Sequence, residues 1–418
     1  MIRNAATPTP RRILLLDHTA RWSGGEIALF RFLGALDRSR YEPVVVLGED
    51  GVFAEKLHEI AVETVVELLG DGVRETRKDT LAAGGLAQKM LSASPALLSY
   101  ARRIADLAKT WGCSLIHTNS LKSDVYGAIA AKQAKLPLLW HVRDHIAPPY
   151  LPNITVHAMR FMAMRVPTHV LCNSRSTLFS LFGGDETAAT APGATKRFTV
   201  VADCVGASFL TAPRPTERDA WRKTGDSRPI TIGIVGRLAR WKGQHIFLAA
   251  AKIVQEKWQA AGNIIPLQFV IAGAALFGEE IYESEIKAQA LRDFPPGVVQ
   301  CCGNVSDVPA LMASLDVLVH CSILPEPFGQ VVIEGMAMGL PVIATRGGGV
   351  VDIITPEQNG LLTPMGDVEI LAQTLLKLLN DPGRAATLGQ NGYDTVRSHY
   401  LPERTARKIE SVYDTLLQ

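Results

Sequence analysis

Apolar positions in this chain come in short unbroken runs rather than in strict alternation. Residues 13–16, 43–47, 114–117, 138–140, 169–173 and 198–203 make one series, and 230–235, 268–272, 298–302, 316–320 and the stretch after Pro341 make a second. Runs this short, bounded by Gly, Pro and polar residues, read as strands covered on both faces, which is the habit of parallel sheets. Between them lie segments of helical period, including 27–36, 244–261, 367–379 and 385–400, with a last one at 402–418. Strand and helix in alternation predict an α/β protein of doubly wound sheets. A length of 418 residues exceeds what one core usually supports. The proline-bearing stretch with Pro213, Pro215 and Pro229 is the natural boundary. The expected organisation is therefore an N-terminal domain over 1–206, a linker over 207–229, a second domain over 230–400 and a terminal helix over 401–418.

Composition narrows the class. Hydrophobic residues make up 47% and charged residues 20%, as in globular chains. A formal net charge of +2 argues against a broad nucleic-acid surface, so no nucleic-acid partner is expected. Six cysteines (Cys113, Cys172, Cys204, Cys301, Cys302 and Cys321) show no metal-ligand spacing, and free thiols are the default. Residues 1–12 lack the apolar stretch of a signal peptide, and no run long enough to span a bilayer occurs, so a cytoplasmic protein is expected. The stretch 71–109 carries Lys89, Arg102, Arg103 and Lys109 among Ala and Leu. Its simpler reading is helices packed on a sheet; the alternative is a basic face on anionic lipid at the inner membrane surface.

The chemistry concentrates in 324–349. Glu326-Pro-Phe328-Gly329 opens a helix of roughly ten residues that carries Gln330 and Glu334, and Gly347, Gly348 and Gly349 follow a short strand. A helix start offers unpaired N–H groups and the positive end of a dipole, both suited to an anion. Gly329 lets a ligand approach the backbone. Glu326 and Glu334 would repel phosphate yet suit sugar hydroxyls, so a sugar nucleotide accounts for both features. Upstream, Arg237 and Lys242 lie in a glycine-bounded loop after a strand, where an arginine can clamp two phosphate oxygens and a lysine adds a point charge.

Glu326, seven residues and Glu334, preceded by Arg237-x4-Lys242-Gly243, resemble the signature of the GT4 (group 1) retaining glycosyltransferases. The resemblance implies the GT-B fold, two Rossmann-like domains facing a central cleft. It also implies a nucleoside diphosphate sugar (UDP-, GDP- or ADP-linked) as donor substrate and no cofactor. In that pattern Gly24 and Gly25 lie near the diphosphate, Gly303 and Val305 near the base, and Phe328, Gly329 and Gln330 in the donor loop. His141 lines the reacting face, with Asp144 and His145 as candidates on the acceptor side. The terminal helix is implied to return to the first domain. One departure stands out: Asp203-Cys204-Val205-Gly206 replaces the usual Asn-Gly-Val-Asp.

No D-x-D and no P-loop occur, so neutralising phosphate falls to Arg237, Lys242 and backbone N–H groups. The expected catalytic set is Glu326, His141, Arg237 and Lys242, with no metal. The expected acceptor is a glycan, a lipid-linked sugar or a small molecule, as in polysaccharide biosynthesis. A nucleotide-sugar epimerase or phosphorylase on the same fold, or a non-catalytic sugar-nucleotide-binding subunit, are the alternatives.

Overall fold

The structure is a computed structural model, and it describes residues 9–70, 86–213, 228–276 and 278–418, with side chains from 95 onward in the segment beginning at 86. The first part of the basic stretch at 71–109, most of the 207–229 linker and the extreme N-terminus fall outside the described residues. Two compact units result: residues 1–204 together with 402–418, and residues 205–401.

The first unit is built on a seven-stranded sheet. Its strands are β1 (Arg11–Asp17), β2 (Tyr41–Leu47), β3 (Glu63–Val66), β4 (Leu115–Thr118), β5 (Leu138–Val142), β6 (His169–Cys172) and β7 (Phe198–Val200). Their order is β3-β2-β1-β4-β5-β6-β7, all parallel, with Leu15 opposite both Val45 and His117. In β1 the residues from Ile13 to Asp17 are all buried, which is why the strand reads as a continuous apolar run. The order reverses between β1 and β4. Crevices at the carboxyl ends of strands flanking such a reversal are where open α/β sheets take ligands.

The second unit repeats the scheme with six parallel strands in the order β10-β9-β8-β11-β12-β13. These are β8 (Ile230–Val235), β9 (Leu267–Ala272), β10 (Val299–Gly303), β11 (Val317–His320), β12 (Val342–Thr345) and β13 (Leu361–Thr363). Its reversal lies between β8 and β11. The core includes Phe247, Val254 and Trp258 of the helix Gln244–Ala260, set against Phe269 and Ile271 of β9. Each such side chain contributes about 1.5–3 kcal/mol on burial.

The terminal helix Pro402–Leu416 completes the first unit. Thr405, Ala406, Ile409, Val412 and Tyr413 are buried, at the spacing of one face of a 3.6-residue helix. Ala406, Ile409, Val412 and Tyr413 share a core with Leu29, Phe32 and Leu33 of the helix Gly24–Ala35. Polar ties fix the register: the Asp37 N–H donates to Glu410 at 3.0 Å, the Tyr41 hydroxyl to Asp414 at 2.6 Å, and Thr405 to the Ala202 carbonyl at 2.9 Å.

Boundaries differ from the sequence expectation at three informative places. The helix expected from residue 27 begins at Gly24, because Ser23 adopts an extended conformation and its carbonyl accepts the Ile27 N–H at 2.9 Å. Gly24 and Gly25 thus form the first turn. Strand β5 runs to Val142, so His141 is a strand residue rather than a loop residue. The donor-loop helix is Gln330–Ala337, eight residues, because Gly329 has φ +110° and cannot join it. Elsewhere the helix Asn153–Ala163 buries Val156, Met159 and Ala163 and exposes Ile154 and Phe161. No described helix is long and apolar enough to cross a membrane.

Candidate active site

In the second unit the loop after β8 turns at Gly236 and passes through a 3-10 turn, Arg240–Lys242, into the helix Gln244–Ala260. Gly243 makes that entry feasible. Its φ is +76°, and a Cβ there would lie 2.0 Å from the Cys321 carbonyl oxygen. The Gln244 amide donates to the Arg237 carbonyl at 3.0 Å and closes the loop. Both cations lie close to the Trp241 ring: Arg237 Cζ is 5.6 Å and Lys242 Nζ 4.4 Å from its centroid. Cation–π attraction holds both charges beside one apolar plate.

Across the order reversal, β11 ends at His320 and leads to Glu326. Lys242 Nζ donates to both carboxylate oxygens of Glu326, at 2.6 and 2.7 Å. The Ser322 hydroxyl donates to Oε2 at 3.0 Å, and His320 Nε2 lies 3.3 Å from the same oxygen. Thr345 binds the Ser322 carbonyl at 2.9 Å, while the Ile323 N–H donates to the Trp241 carbonyl at 2.8 Å. Burial by itself would raise the Glu326 carboxyl; the Lys242 ammonium and His320 outweigh it and hold the group below the usual carboxylate range. Glu326 is thus a fixed anion among donors. Gly236, Lys242, Gln244, His320, Ser322 and Val331 line a recess beside it.

The sequence reading placed Lys242 on phosphate and Glu326 on sugar as separate contacts; the fold joins them in one ion pair. Glu334 is half-buried in the next helix, and Lys242 bonds Glu326 rather than Glu334. Phe328, expected in the donor loop, is buried with its ring against Tyr400, centroids 6.1 Å apart, and Gly349 packs against its backbone. Gln330 opens the helix Gln330–Ala337. Gly348 and Gly349 lie against the donor loop itself: Gly348 bridges Glu326, and the Gly349 N–H donates to the Glu326 carbonyl at 2.7 Å. Gly303 closes β10 with φ +63° and accepts from the Gly273 N–H at 2.7 Å, and Val305 follows it, half-buried.

In the first unit a second polar cluster forms at the carboxyl ends of the strands. Asp17, fully buried at the end of β1, accepts from the Asn119 amide at 2.7 Å across the order reversal. Asn119 in turn accepts from Arg143 Nε at 2.7 Å. The other Arg143 nitrogens go to Asp203 and to His141 Nδ1, the latter at 3.2 Å. Asp203 is thus the counter-ion of Arg143, a place found for the residue at which the sequence departs from its family pattern. His141 and His117 are buried, and burial together with Arg143 lowers the pKa of both, His117 to about 3. Asp144 receives the Tyr150 hydroxyl, and His145 pairs with Ser176 at 2.9 Å, so both brace their loop. Near Gly25, the nearest neighbours a Cβ would meet are Arg143 at 3.8 Å and Asn119 at 3.9 Å. His320, Ser322, Trp241, Asn119 and Asp203 were missed as site residues. A polar residue directly after an apolar strand was the available signal for His320 and Asn119.

Glu26, in the first turn of Gly24–Ala35, is buried and receives the Ser23 hydroxyl. Burial and the neighbouring Asp17 push its carboxyl up to about 8. The folded protein therefore keeps a proton that the unfolded chain releases above about pH 4.3. Stability should fall as pH rises from there to about 8. Glu26→Gln, neutral at every pH, should flatten that decline in a series of melting temperatures from pH 5 to 9.

Two parallel doubly wound units, each with a polar cluster at its order reversal, define the GT-B fold. The solved structure of Anabaena Alr3699/HepE in complex with UDP-glucose superposes with a TM-score of 0.76 at 25% identity, covering 97% of this chain and 99% of that one. Sucrose-phosphate synthase from Thermosynechococcus elongatus superposes with a TM-score of 0.74 at 20% identity, covering 97% and 99%. Residues 215–395, which lie within the second unit, match the family described as glycosyl transferases group 1. The capsular polysaccharide biosynthesis glycosyltransferase CapM of Staphylococcus aureus is 30% identical over 187 residues, 45% of this chain and 46% of CapM. The lipopolysaccharide core biosynthesis mannosyltransferase LpsB of Rhizobium meliloti is 25% identical over 293 residues, 67% of this chain and 80% of LpsB. The chain thus spans less than half of the first of these relatives and most of the second.

Proposed function

We propose that this protein is a retaining glycosyltransferase of the GT4 type, moving a hexosyl unit from a nucleoside diphosphate sugar to an acceptor hydroxyl in glycan or lipid-linked glycan synthesis. The observation that carries the reading is the cluster at the β8/β11 reversal: Arg237 and Lys242 both against the Trp241 ring, with Glu326 held ionised by Lys242. Cations at that point neutralise charge developing on a departing diphosphate. The Glu326 carboxylate accepts hydrogen bonds from donor-sugar hydroxyls, and Glu334 is assigned to the ribose. The bond from the anomeric carbon to phosphate oxygen breaks, the acceptor oxygen takes its place on the same face, and its proton passes to the leaving diphosphate. The UDP-glucose complex of Anabaena HepE and the capsular and lipopolysaccharide roles of CapM and LpsB support a UDP-hexose donor and a glycan acceptor.

A thermal-shift screen against UDP-, GDP- and ADP-sugars tests this. One donor class should raise the midpoint in a saturable way, and Arg237→Ala should lose the shift while melting as before in buffer. No shift with any nucleotide sugar, or an equal shift in Arg237→Ala, would overturn the assignment.

A further inference from the structure

The first unit contains a chain of hydrogen bonds in which every proton position can be assigned. The Tyr413 hydroxyl lies 2.6 Å from His117 Nδ1, and His117 Nε2 lies 3.3 Å from His141 Nδ1. Arg143 Nη2 lies 3.2 Å from that same His141 nitrogen. The two imidazoles are tilted by only 17°, with centroids 5.4 Å apart. That separation exceeds the N···N gap by about two ring radii, so the rings meet edge to edge, as a hydrogen bond requires.

A guanidinium only donates. His141 Nδ1 must therefore carry a lone pair, and the proton of the neutral ring is on Nε2. At the other end, His117 Nδ1 is the acceptor within reach of the buried Tyr413 hydroxyl, so Tyr413 donates and the His117 proton is also on Nε2, aimed at His141. The two ends agree. Burial and the nearby Arg143 charge keep both rings uncharged, which removes the one state in which tautomers would lose meaning. What remains is His141 Nε2–H, buried and without a hydrogen-bond partner among the described residues. A buried donor left unpaired costs about 1–3 kcal/mol, and such groups in folded proteins call for a reason.

We infer that Tyr413 and His117 are positioning residues: with Arg143 they lock His141 as the Nε2–H tautomer, so that it offers a substrate oxygen one hydrogen-bond donor and cannot act as a base through Nε2. The last helix of the chain thereby sets the chemistry of a strand residue in the sheet. The tautomer assignment stands on geometry alone; the substrate oxygen as acceptor rests on the glycosyltransferase reading.

Nitrogen-15 NMR of the imidazoles in the full-length protein, without ligand, decides the first part. Both His117 and His141 should show the Nε2–H pattern at pH 7. A His141 protonated at Nδ1, or at both nitrogens, would overturn the inference whether or not any sugar is transferred. Tyr413→Phe keeps the ring and removes the hydroxyl. It should leave His117 Nδ1 without a hydrogen-bond donor, move that nitrogen's resonance and loosen the lock, so that His117 and with it His141 sample the other tautomer, and should lower kcat about two- to tenfold with donor KM little changed. An unaltered His117 spectrum in a folded Tyr413→Phe protein would exclude the positioning role. Should that variant fail to fold, the wild-type spectrum still decides the tautomers. Adding the donor that the thermal screen selects should move the His141 Nε2–H resonance; saturating donor that leaves it in place would refute the substrate contact without touching the tautomer assignment.

Discussion

Replacing Lys242 by alanine should lower kcat/KM for sugar transfer by about two to three orders of magnitude, the loss typical of one preorganised group at a developing charge. The structure adds a second consequence. Lys242 donates to both oxygens of Glu326, and the two side chains are only 19% and 13% exposed. Removing the ammonium leaves a poorly solvated carboxylate beside His320, which costs up to about 3–5 kcal/mol for a buried pair and less at this partial exposure. The Lys242→Ala protein should therefore melt several degrees lower, whereas Lys242→Ala/Glu326→Gln should recover much of the melting temperature and none of the activity. Kinetics and melting curves on the two variants separate the roles. If the single variant transfers sugar at the wild-type rate, Lys242 does not act on the donor.

The second large effect is expected at a residue without a side chain. Gly348 has φ +65°, and a Cβ there would lie 1.8 Å from the Glu326 carbonyl oxygen and 2.5 Å from its backbone nitrogen. Neither atom is the end of a flexible side chain, so Gly348→Ala must push the backbone of the donor loop away. The left-handed conformation adds strain of order 1 kcal/mol. Loss of more than about 3 kcal/mol of stability, or a folded protein with donor affinity reduced at least tenfold, is the expected result by denaturant titration and calorimetry. Gly24→Ala is the control, since a Cβ there would meet nothing within 4 Å; it should alter stability far less.

Much of this architecture was legible in the sequence, for a physical reason. Parallel strands covered on both faces must be apolar throughout, so runs such as Ile13 to Leu16 identify them without structural help, and their alternation with helices dictates doubly wound sheets. The loop from Glu326 to Gly329 stands out in the sequence because Gly329 and the carboxylates break the apolar pattern. What could not be read was partner choice. Lys242 and Glu326 are separated by 84 positions, and His117 and Tyr413 by 296. Nothing local in either pair foretells its meeting. At Gly348 the space a Cβ would take holds the Glu326 backbone, and a sequence shows a missing Cβ without showing what occupies its place. Phe328 illustrates the same limit: its place in the motif says it matters, and only packing shows that its ring anchors the loop from below.

The interleaved connectivity of the first unit also sets an order of assembly. Ile409, Val412 and Tyr413 fill its core alongside Leu29 and Phe32, although they arrive at the far end of the chain. Residues 205–401 are contiguous and can condense as soon as they leave the ribosome. The half that is synthesised first must therefore wait, with part of its apolar interior open, until the half synthesised second has emerged and the final helix can dock. The closing step of the first unit thus follows synthesis of residues 205–401, and until then the apolar face that Ile409 and Tyr413 cover lacks its partner.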